Sequence, residues 1–281
     1  MSTVPANEPA AAATTGYAPV NGAQLYFEMA GSGEPLLLLH AGVADGRMWD
    51  AQFPFFARHF RTIRFDLRGF GRSALPGGRF AHYRDVLGLL DYLDAPHASL
   101  VAVSFGGLIA LDTALAAPER VRALVLGAPS ISGQPPSARV RGFWAQEDAA
   151  YERGDLHEAT ELNLRFWVDG IYRTPEEVDT AVRQRVYDMQ YHLFTLPEPE
   201  DAEEEKLEPP AYGRLPQISQ PTLVLVGDLD LPEKVEGAAR LAATLPNAQH
   251  AVIPGVAHML NMEAPDAFNQ MALAYLQTHV K

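Results

Sequence analysis

The sequence predicts an α/β fold in which a mainly parallel sheet carries helices on both of its faces. Short, mostly apolar runs recur along the chain and have the pattern of strands buried on both sides. These runs occupy residues 36–39, 62–67, 99–103, 122–126, 221–226 and 251–253. Helical patterns alternate with them, over residues 48–60, 82–93, 105–116, 234–243 and 265–279. Because strands and helices alternate, we expect parallel strands that are connected by the helices.

The N-terminal part of the fold is predicted to be a β-hairpin at the edge of the sheet. Residues 17–30 alternate loosely between apolar and polar side chains and contain Asn21-Gly22, a dipeptide typical of tight hairpin turns. The preceding residues, 1–16, are rich in Ala, Thr and Pro and lack the basic residues and the unbroken apolar run of a signal peptide. We interpret them as a disordered leader.

The alternation of strand and helix stops after Ser130. Helical, aromatic-rich segments follow, around Phe143-Trp144, Phe166-Trp167 and residues 187–194. A stretch of this length is too long for an irregular loop, so it should have structure of its own. We expect its aromatic side chains either to line an apolar pocket or to pack against one another.

These segments lead to a prediction of the domain organisation. A core domain is expected over residues 17–130 and 216–281, with a helical cap inserted over residues 131–215. The cap ends in an acidic connector, in which Glu203-Glu204-Glu205 is interpreted as a solvated face.

The composition excludes several classes of function. The formal net charge of −13 argues against a nucleic-acid partner, which needs clustered Lys and Arg, and against docking on anionic lipid. The 281 residues include no Cys, so thiol nucleophiles, thiolate metal sites and disulfides are excluded. No stretch approaches the ~20 apolar residues that cross a bilayer. We therefore expect a cytoplasmic protein without a membrane partner; the sequence does not predict its oligomeric state.

The most informative segment surrounds Ser104. An apolar strand ending at Val103 leads into Ala102-x-Ser104-x-Gly106 and then directly into a helix. Small residues before and after the Ser allow a sharp turn that exposes the hydroxyl at the carboxyl end of the sheet. The N–H of Phe105, at the start of the helix, is then placed to stabilise an oxyanion. The pattern favours Ser104 as a nucleophile, and the alternative is a Ser that only caps the helix.

The chain resembles the α/β-hydrolase family in this segment and in four others. They are His40-Ala41-Gly42, residues 65–73 (Phe-Asp-Leu-Arg-Gly-Phe-Gly-Arg-Ser), residues 226–230 (Val-Gly-Asp-Leu-Asp) and Pro254-Gly-Val-Ala-His258, which Met262-Glu-Ala-Pro265 follows. The resemblance covers residue 36 to about residue 277 apart from most of the insertion. It implies the α/β-hydrolase fold, with an eight-stranded, mainly parallel sheet.

By this resemblance, the catalytic residues are Ser104, Asp230 and His258, which follow one another in the family's order. A Ser hydroxyl becomes nucleophilic when an imidazole takes its proton, and a carboxylate orients the imidazole. Asp228 competes with Asp230 for the acid, and His40 is the nearest rival of His258.

The oxyanion donors implied by the resemblance are the N–H of Phe105 and that of Gly42. Ala41 replaces the family's Gly beside His40, so Val43 remains an alternative to Gly42. Asp66, in the second segment, is expected to brace loops rather than to react. No metal and no organic cofactor is implied.

Ser104 also restricts the reaction, because relatives that attack with a carboxylate require Asp at this position. We expect hydrolysis of a small-molecule ester or lactone through an acyl-enzyme, as in esterases and 3-oxoadipate enol-lactonases. Carbon–carbon bond hydrolases and cofactor-free haloperoxidases (perhydrolases) share the same framework and remain alternatives. A ligand receptor of the same fold with slow turnover is a further alternative of a different class.

Overall fold

The computed structural model describes residues 13–280. The strands in this range are β1 (Thr14–Val20), β2 (Ala23–Ala30), β3 (Pro35–Leu39), β4 (Arg61–Phe65), β5 (Gly78–Phe80), β6 (Ala98–Val103), β7 (Val121–Gly127), β8 (Ala202–Glu204), β9 (Thr222–Gly227) and β10 (Ala248–Ile253). The α-helices are α1 (Phe53–Phe56), α2 (His82–Tyr92), α3 (Phe105–Ala116), α4 (Ala138–Glu152), α5 (Leu156–Asn163), α6 (Thr180–Thr195), α7 (Pro232–Thr244), α8 (Leu260–Glu263) and α9 (Pro265–His279). A π-helix over Leu164–Asp169 continues α5.

The main sheet has eight strands in the order β1-β2-β4-β3-β6-β7-β9-β10. The pairs β1–β2 and β2–β4 are antiparallel, whereas all neighbours from β4 to β10 are parallel. The predicted fold class is therefore confirmed. Leu36 to Leu39 and Leu100 to Val103 are fully buried, since these central strands are covered on both faces. Their continuous apolar pattern in the sequence has this cause.

The predicted N-terminal hairpin forms between β1 and β2. Asn21 and Gly22 make its turn with φ values of 45° and 82°, both positive, as the tightest hairpin turns require. β1 begins at Thr14, so the predicted leader over residues 1–16 is wrong for residues 14–16, which pair with β2. Thr14 and Thr15 are β-branched, which favours the strand. Residues 1–12 of that leader lie outside the described residues.

The helix predicted over residues 48–60 is replaced by two shorter pieces. A 3₁₀ helix spans Gly46–Trp49, with the Asp45 side chain accepting the Arg47 N–H, and α1 follows as a single turn. Pro54 explains the interruption, because it has no N–H to donate to the carbonyl four residues earlier and can stand only in the first turn of a new helix.

The segment between β7 and β9 contributes no strand to the eight-stranded sheet. It contains α4, α5, the π-helix and α6, so its predicted helical character agrees with the observed elements. The core and cap boundaries at residues 130 and 216 remain a prediction.

In the acidic connector, Glu203 and Glu204 are exposed as predicted, but the segment also has structure that was not predicted. Residues 202–204 form β8, which pairs in parallel with β5 in a separate two-stranded sheet. Glu205 accepts a hydrogen bond from Arg84 at 2.6 Å and lies 3.1 Å from Arg79. Glu205, directly after β8, therefore joins the end of the insertion to Arg79 on β5 and Arg84 on α2, which the charge pattern alone does not reveal.

Among residues 13–280, no helix has both the length and the apolar character required to cross a membrane.

Candidate active site

β6 passes into α3 through one sharp turn at Ser104. The Ser104 backbone has φ 54° and ψ −111°, a combination that residues other than Gly rarely adopt and that stores strain. Its N–H donates to the carbonyl of Gly127, and its carbonyl accepts the N–H of Ser130, both at 2.9 Å. These bonds to the end of β7 hold the turn at the carboxyl edge of the sheet.

The turn leaves no room for a side chain at Gly106. A Cβ at this position would lie 2.7 Å from the carbonyl oxygen of His40 and would also collide with the carbonyl of Leu39. The small residue after Ser104 in the sequence motif therefore reflects the close passage of α3 over the end of β3.

The Ser104 side chain makes no hydrogen bond to the first turn of α3, although Ser104 stands at the N-cap position. The interpretation of Ser104 as a simple helix cap is therefore not supported. Ser104 instead lines a large cavity at the carboxyl end of the sheet.

His258 and Asp230 form a buried pair. Nδ1 of His258 lies 2.8 Å from a carboxylate oxygen of Asp230, and both residues are only 2% exposed. The other carboxylate oxygen of Asp230 accepts the N–H of Leu231 at 2.7 Å. Asp228, the competing acid, accepts the N–H of Gly255 at 2.6 Å in an exposed loop. The structure thus brings Asp230, and not Asp228, to the imidazole.

His258 and Ser104 line the same cavity, but no direct hydrogen bond joins their side chains within the described residues. Nε2 of His258 is buried and has no hydrogen-bond partner there. Since Nδ1 donates to Asp230, Nε2 is the nitrogen left to accept a proton. The ring of Trp167 lies against His258, with 4.6 Å between the ring centres, and shields it.

Glu263 fixes the loop that carries His258. One of its carboxylate oxygens accepts the N–H of Ala257 at 3.0 Å, and the other lies 2.5 Å from the Arg173 guanidinium. Arg173 belongs to the insertion, so this ion pair also joins the insertion to the loop. The Met262-Glu-Ala-Pro265 segment therefore has a positioning role.

Gly42 and Phe105 lie side by side at the cavity wall. A Cβ on Gly42 would be 3.5 Å from Cβ of Phe105, and both residues line the cavity together with Ser104. Among residues 13–280, the backbone N–H groups of Gly42 and Phe105 make no hydrogen bond. Two unpaired donors therefore flank the Ser104 turn; Val43 lines the same cavity.

His40, the rival of His258, has a structural position. Its Nδ1 donates to the carbonyl of Ala41 at 2.8 Å, and its Nε2 accepts the N–H of Leu67 at 2.9 Å. Burial lowers the pKa of His40, which keeps the ring neutral as this bonding requires. His40 thus fixes the loop that presents Gly42.

The charged residues of the 65–73 segment brace loops. Asp66 accepts the N–H groups of Gly46 and Arg72 at 2.7 and 2.8 Å. Arg68 makes a buried bidentate pair with Asp85 at 2.7 and 2.8 Å. None of these side chains lines the cavity that contains Ser104.

The cavity has a volume of about 840 Å³ and opens between the sheet edge and the insertion. The insertion supplies both apolar and polar side chains to its wall, and the apolar ones include Val140, Phe143, Trp144, Trp167, Leu193 and Phe194. Phe143 is buried and stacks on Phe166, with ring centres 4.2 Å apart. The predicted aromatic segments therefore both line a pocket and pack against one another.

Several polar residues of the cavity were not predicted from the sequence: His82, Asp112, Glu147, Gln190 and Lys234. Burial lowers the pKa of His82 to about 3 and raises that of Asp112 to about 6. No local motif marks these residues, because they meet only when α2, α3, the insertion and α7 converge.

The family model described as the alpha/beta hydrolase fold matches residues 34–265. With the fold and this match, the chain belongs to the α/β-hydrolase family, and it is a hydrolytic enzyme.

Individual relatives agree with this class. The chain is 27% identical to a pimeloyl-[acyl-carrier protein] methyl ester esterase of Nitrosospira multiformis, across 87% of this chain and 95% of that protein. It is 26% identical to a 2-hydroxy-6-oxononadienedioate/2-hydroxy-6-oxononatrienedioate hydrolase of Comamonas testosteroni, across 90% and 91% of the two chains. A solved thermophilic esterase from Thermogutta terrifontis superposes with a TM-score of 0.74 at 25% identity and covers 96% of this chain and 100% of its own.

Proposed function

We propose that the protein is a serine hydrolase that cleaves a small-molecule carboxylic ester or lactone through an acyl-enzyme on Ser104. The observation that carries this proposal is the buried Asp230–His258 pair facing the same cavity as Ser104 on its strained turn. Two of the relatives named above are esterases, which supports the same reaction class.

In the first half of the reaction, Oγ of Ser104 attacks the substrate carbonyl carbon while Nε2 of His258 takes the hydroxyl proton. The carbonyl electrons move to oxygen, and the N–H groups of Phe105 and Gly42 stabilise the resulting oxyanion. Collapse of this intermediate breaks the C–O bond, and His258 returns its proton to the leaving alkoxide. In a lactone, the leaving hydroxyl remains attached to the acyl chain.

In the second half, a water molecule attacks the acyl carbon while His258 accepts one of its protons. The same two N–H groups stabilise the oxyanion that forms, and the ester bond between the acyl carbon and Oγ of Ser104 then breaks. His258 then protonates Oγ, which releases the free acid and restores the enzyme. Throughout the cycle, Asp230 holds the imidazole in the required tautomer and stabilises its charged form.

We further propose that residues 131–215 act as a cap over this site. The insertion supplies most of the apolar cavity wall, and Trp167 covers His258. An apolar wall of this kind fits the acyl or alcohol part of a small ester.

A carbon–carbon bond hydrolase is a second candidate, because a relative of this activity matches across nine-tenths of the chain. It uses the same three residues with a carbon leaving group. Turnover of vinylogous 1,5-diketones but not of esters would favour it.

The proposal is tested with p-nitrophenyl acetate and a sulfonyl fluoride. We expect steady multiple turnover of the ester, and one covalent adduct on the peptide that contains Ser104. A single turnover without further cycles would indicate a ligand receptor, and an adduct on another residue would remove Ser104 from the mechanism.

A further inference from the structure

The ammonium group of Lys234, near the start of α7, lies in the wall of the Ser104 cavity. Its Nζ lies 3.0 Å from Oγ of Ser130 and 3.4 Å from the carbonyl oxygens of Ala128 and Pro129. All three partners are neutral. Lys234 is half-buried, and it borders the cavity.

This ammonium group is close to the proposed reaction centre. Ser130, its nearest partner, donates its own N–H to the carbonyl of Ser104 at 2.9 Å. On the other side, Nζ lies 6.0 Å from the centre of the Trp167 ring, which packs on His258. Ser130 therefore connects Lys234 to the proposed nucleophile, Ser104, and the Trp167 ring lies between Lys234 and the proposed base, His258.

Lys234 has no ion-pair partner among residues 13–280, whereas four of the five acidic residues that line the cavity have partners of their own; the fifth, Glu204, is exposed. Glu233 accepts a hydrogen bond from Ser137, Asp112 from Ser132, Glu147 from Asn163 and Glu205 from Arg84. Buried charges are normally paired, because desolvation without a counter-ion is costly. Burial accordingly lowers the pKa of Lys234, although Asp230 and Glu233 oppose this change.

We propose that Lys234 is a specificity-determining residue that binds a carboxylate on the acyl part of the substrate. The preferred substrates are then monoesters of short dicarboxylic acids, or lactones that carry a carboxylate. This inference deepens the proposed function and rests on it. A carboxylate bound here would supply the missing counter-ion and would orient the scissile carbonyl toward Ser104.

A purely structural role of Lys234, in which its hydrogen bonds hold residues 128–130 in place, predicts a different result. Loss of these hydrogen bonds would lower the activity on every substrate equally, whereas loss of a carboxylate site would lower the activity only on anionic substrates. A pair of substrates that differ in charge and not in shape separates these roles.

The test compares monoethyl glutarate with its neutral amide analogue, ethyl 4-carbamoylbutanoate, in a pH-stat assay. We expect the wild-type protein to prefer the anionic ester in kcat/KM. Lys234→Met should lower kcat/KM for monoethyl glutarate by about 10- to 100-fold, mainly through KM, because a charge-assisted interaction is lost. Its effect on the amide analogue should stay within about 3-fold, and Lys234→Arg should retain part of the preference.

Lys206→Met is the matched control. Lys206 is an exposed lysine that also borders the cavity, so it reports the loss of one positive charge without loss of the Lys234 contact. We expect this variant to keep the wild-type preference for the anionic ester.

Binding of glutarate, measured by calorimetry, tests the carboxylate site without turnover. We expect weaker binding to Lys234→Met by about 10-fold or more. Equal losses on both esters, or glutarate binding unchanged by Lys234→Met, would overturn the carboxylate site and leave the serine hydrolase standing. Glutarate binding that depends on Lys234, in a protein that turns over no ester, would instead support the site and reject the proposed reaction.

Discussion

Nδ1 of His258 lies 2.8 Å from the carboxylate of Asp230, and neither side chain is more than 2% exposed. A carboxylate in this position fixes the ring so that Nε2 is the proton acceptor, and it stabilises the imidazolium that forms during reaction. The second carboxylate oxygen is held by the Leu231 N–H, so Asp230 itself cannot rotate freely. The pair is therefore preorganised before a substrate binds.

The first prediction concerns this pair. Asp230→Asn should lower kcat by about 10⁴-fold, because the amide stabilises the wrong tautomer of His258 and no longer balances its charge. Asp228→Asn is the matched control: among residues 13–280, the Asp228 side chain has a hydrogen bond only with the Gly255 N–H in an exposed loop, and we expect kcat within about 5-fold of wild type. Steady-state kinetics on one activated ester measure both. Similar losses in the two variants would contradict the assignment of Asp230.

The second prediction concerns the nucleophile. Ser104→Ala should lower kcat by at least about 10⁴-fold, since Ala leaves no hydroxyl at the turn to attack the substrate. Its free energy of unfolding should stay within about 1 kcal/mol of wild type, because the side chain makes no capping hydrogen bond. Ser219→Ala, at an exposed position, serves as the control for serine loss. Residual turnover near the wild-type rate in Ser104→Ala would exclude Ser104 as the nucleophile.

The third prediction concerns the turn that presents Ser104. Gly106→Ala should destabilise the protein by more than about 3 kcal/mol, or prevent folding, because the new Cβ meets two backbone carbonyls that cannot move away. Gly142→Ala is the opposite case: Gly142 lies within α4 with open space around it, and Ala should stabilise the helix by about 0.5–1 kcal/mol.

Urea denaturation of both variants measures these effects. A tolerated Gly106→Ala would mean that the close passage of α3 over β3 is not a requirement of the turn.

The sequence alone predicts those features of the fold and the site that depend on a local pattern of residues. The turn at Ser104 is encoded by a buried strand, two small residues and a helix in direct succession, and the hairpin by Asn21-Gly22. The pairing of Asp230 with His258 followed from family resemblance, since each lies in a recognisable loop after its strand. Each of these features can be recognised from short stretches of sequence, without knowledge of how distant segments pack.

Features that depend on distant segments escaped prediction. Lys234 meets Ser130 across 104 positions, and Glu205 meets Arg84 across 121. Neither contact follows from periodicity or turn chemistry: the first depends on the pairing of β7 with β9, and the second on how the insertion folds back on the core. The three-residue strands β5 and β8 are likewise too short to give a period-2 pattern.

The last prediction concerns Asp112, which is 4% exposed in the cavity wall and accepts a hydrogen bond from Ser132 at 2.6 Å. Burial raises its pKa from 3.8 to about 6. The folded protein therefore holds this proton more tightly than the unfolded chain, so the contribution of Asp112 to stability is greatest below pH 4. It declines as the pH rises from 3.8 to about 6 and is constant above that range.

Asp112→Asn should remove this dependence, because the amide is neutral at every pH and its oxygen can still accept the Ser132 hydroxyl. Relative to wild type, the variant should gain stability as the pH rises from about 4 to about 6, by up to ~3 kcal/mol at neutral pH. Urea denaturation at a series of pH values measures the difference. Asp148→Asn, which alters an exposed acid on α4, should follow the wild-type curve at each pH. If the Asp112→Asn curve also stayed parallel to wild type from pH 4 to pH 7, burial would not destabilise the ionised Asp112 carboxylate. The cavity wall at α3 would then be better hydrated than the 4% exposure of Asp112 indicates.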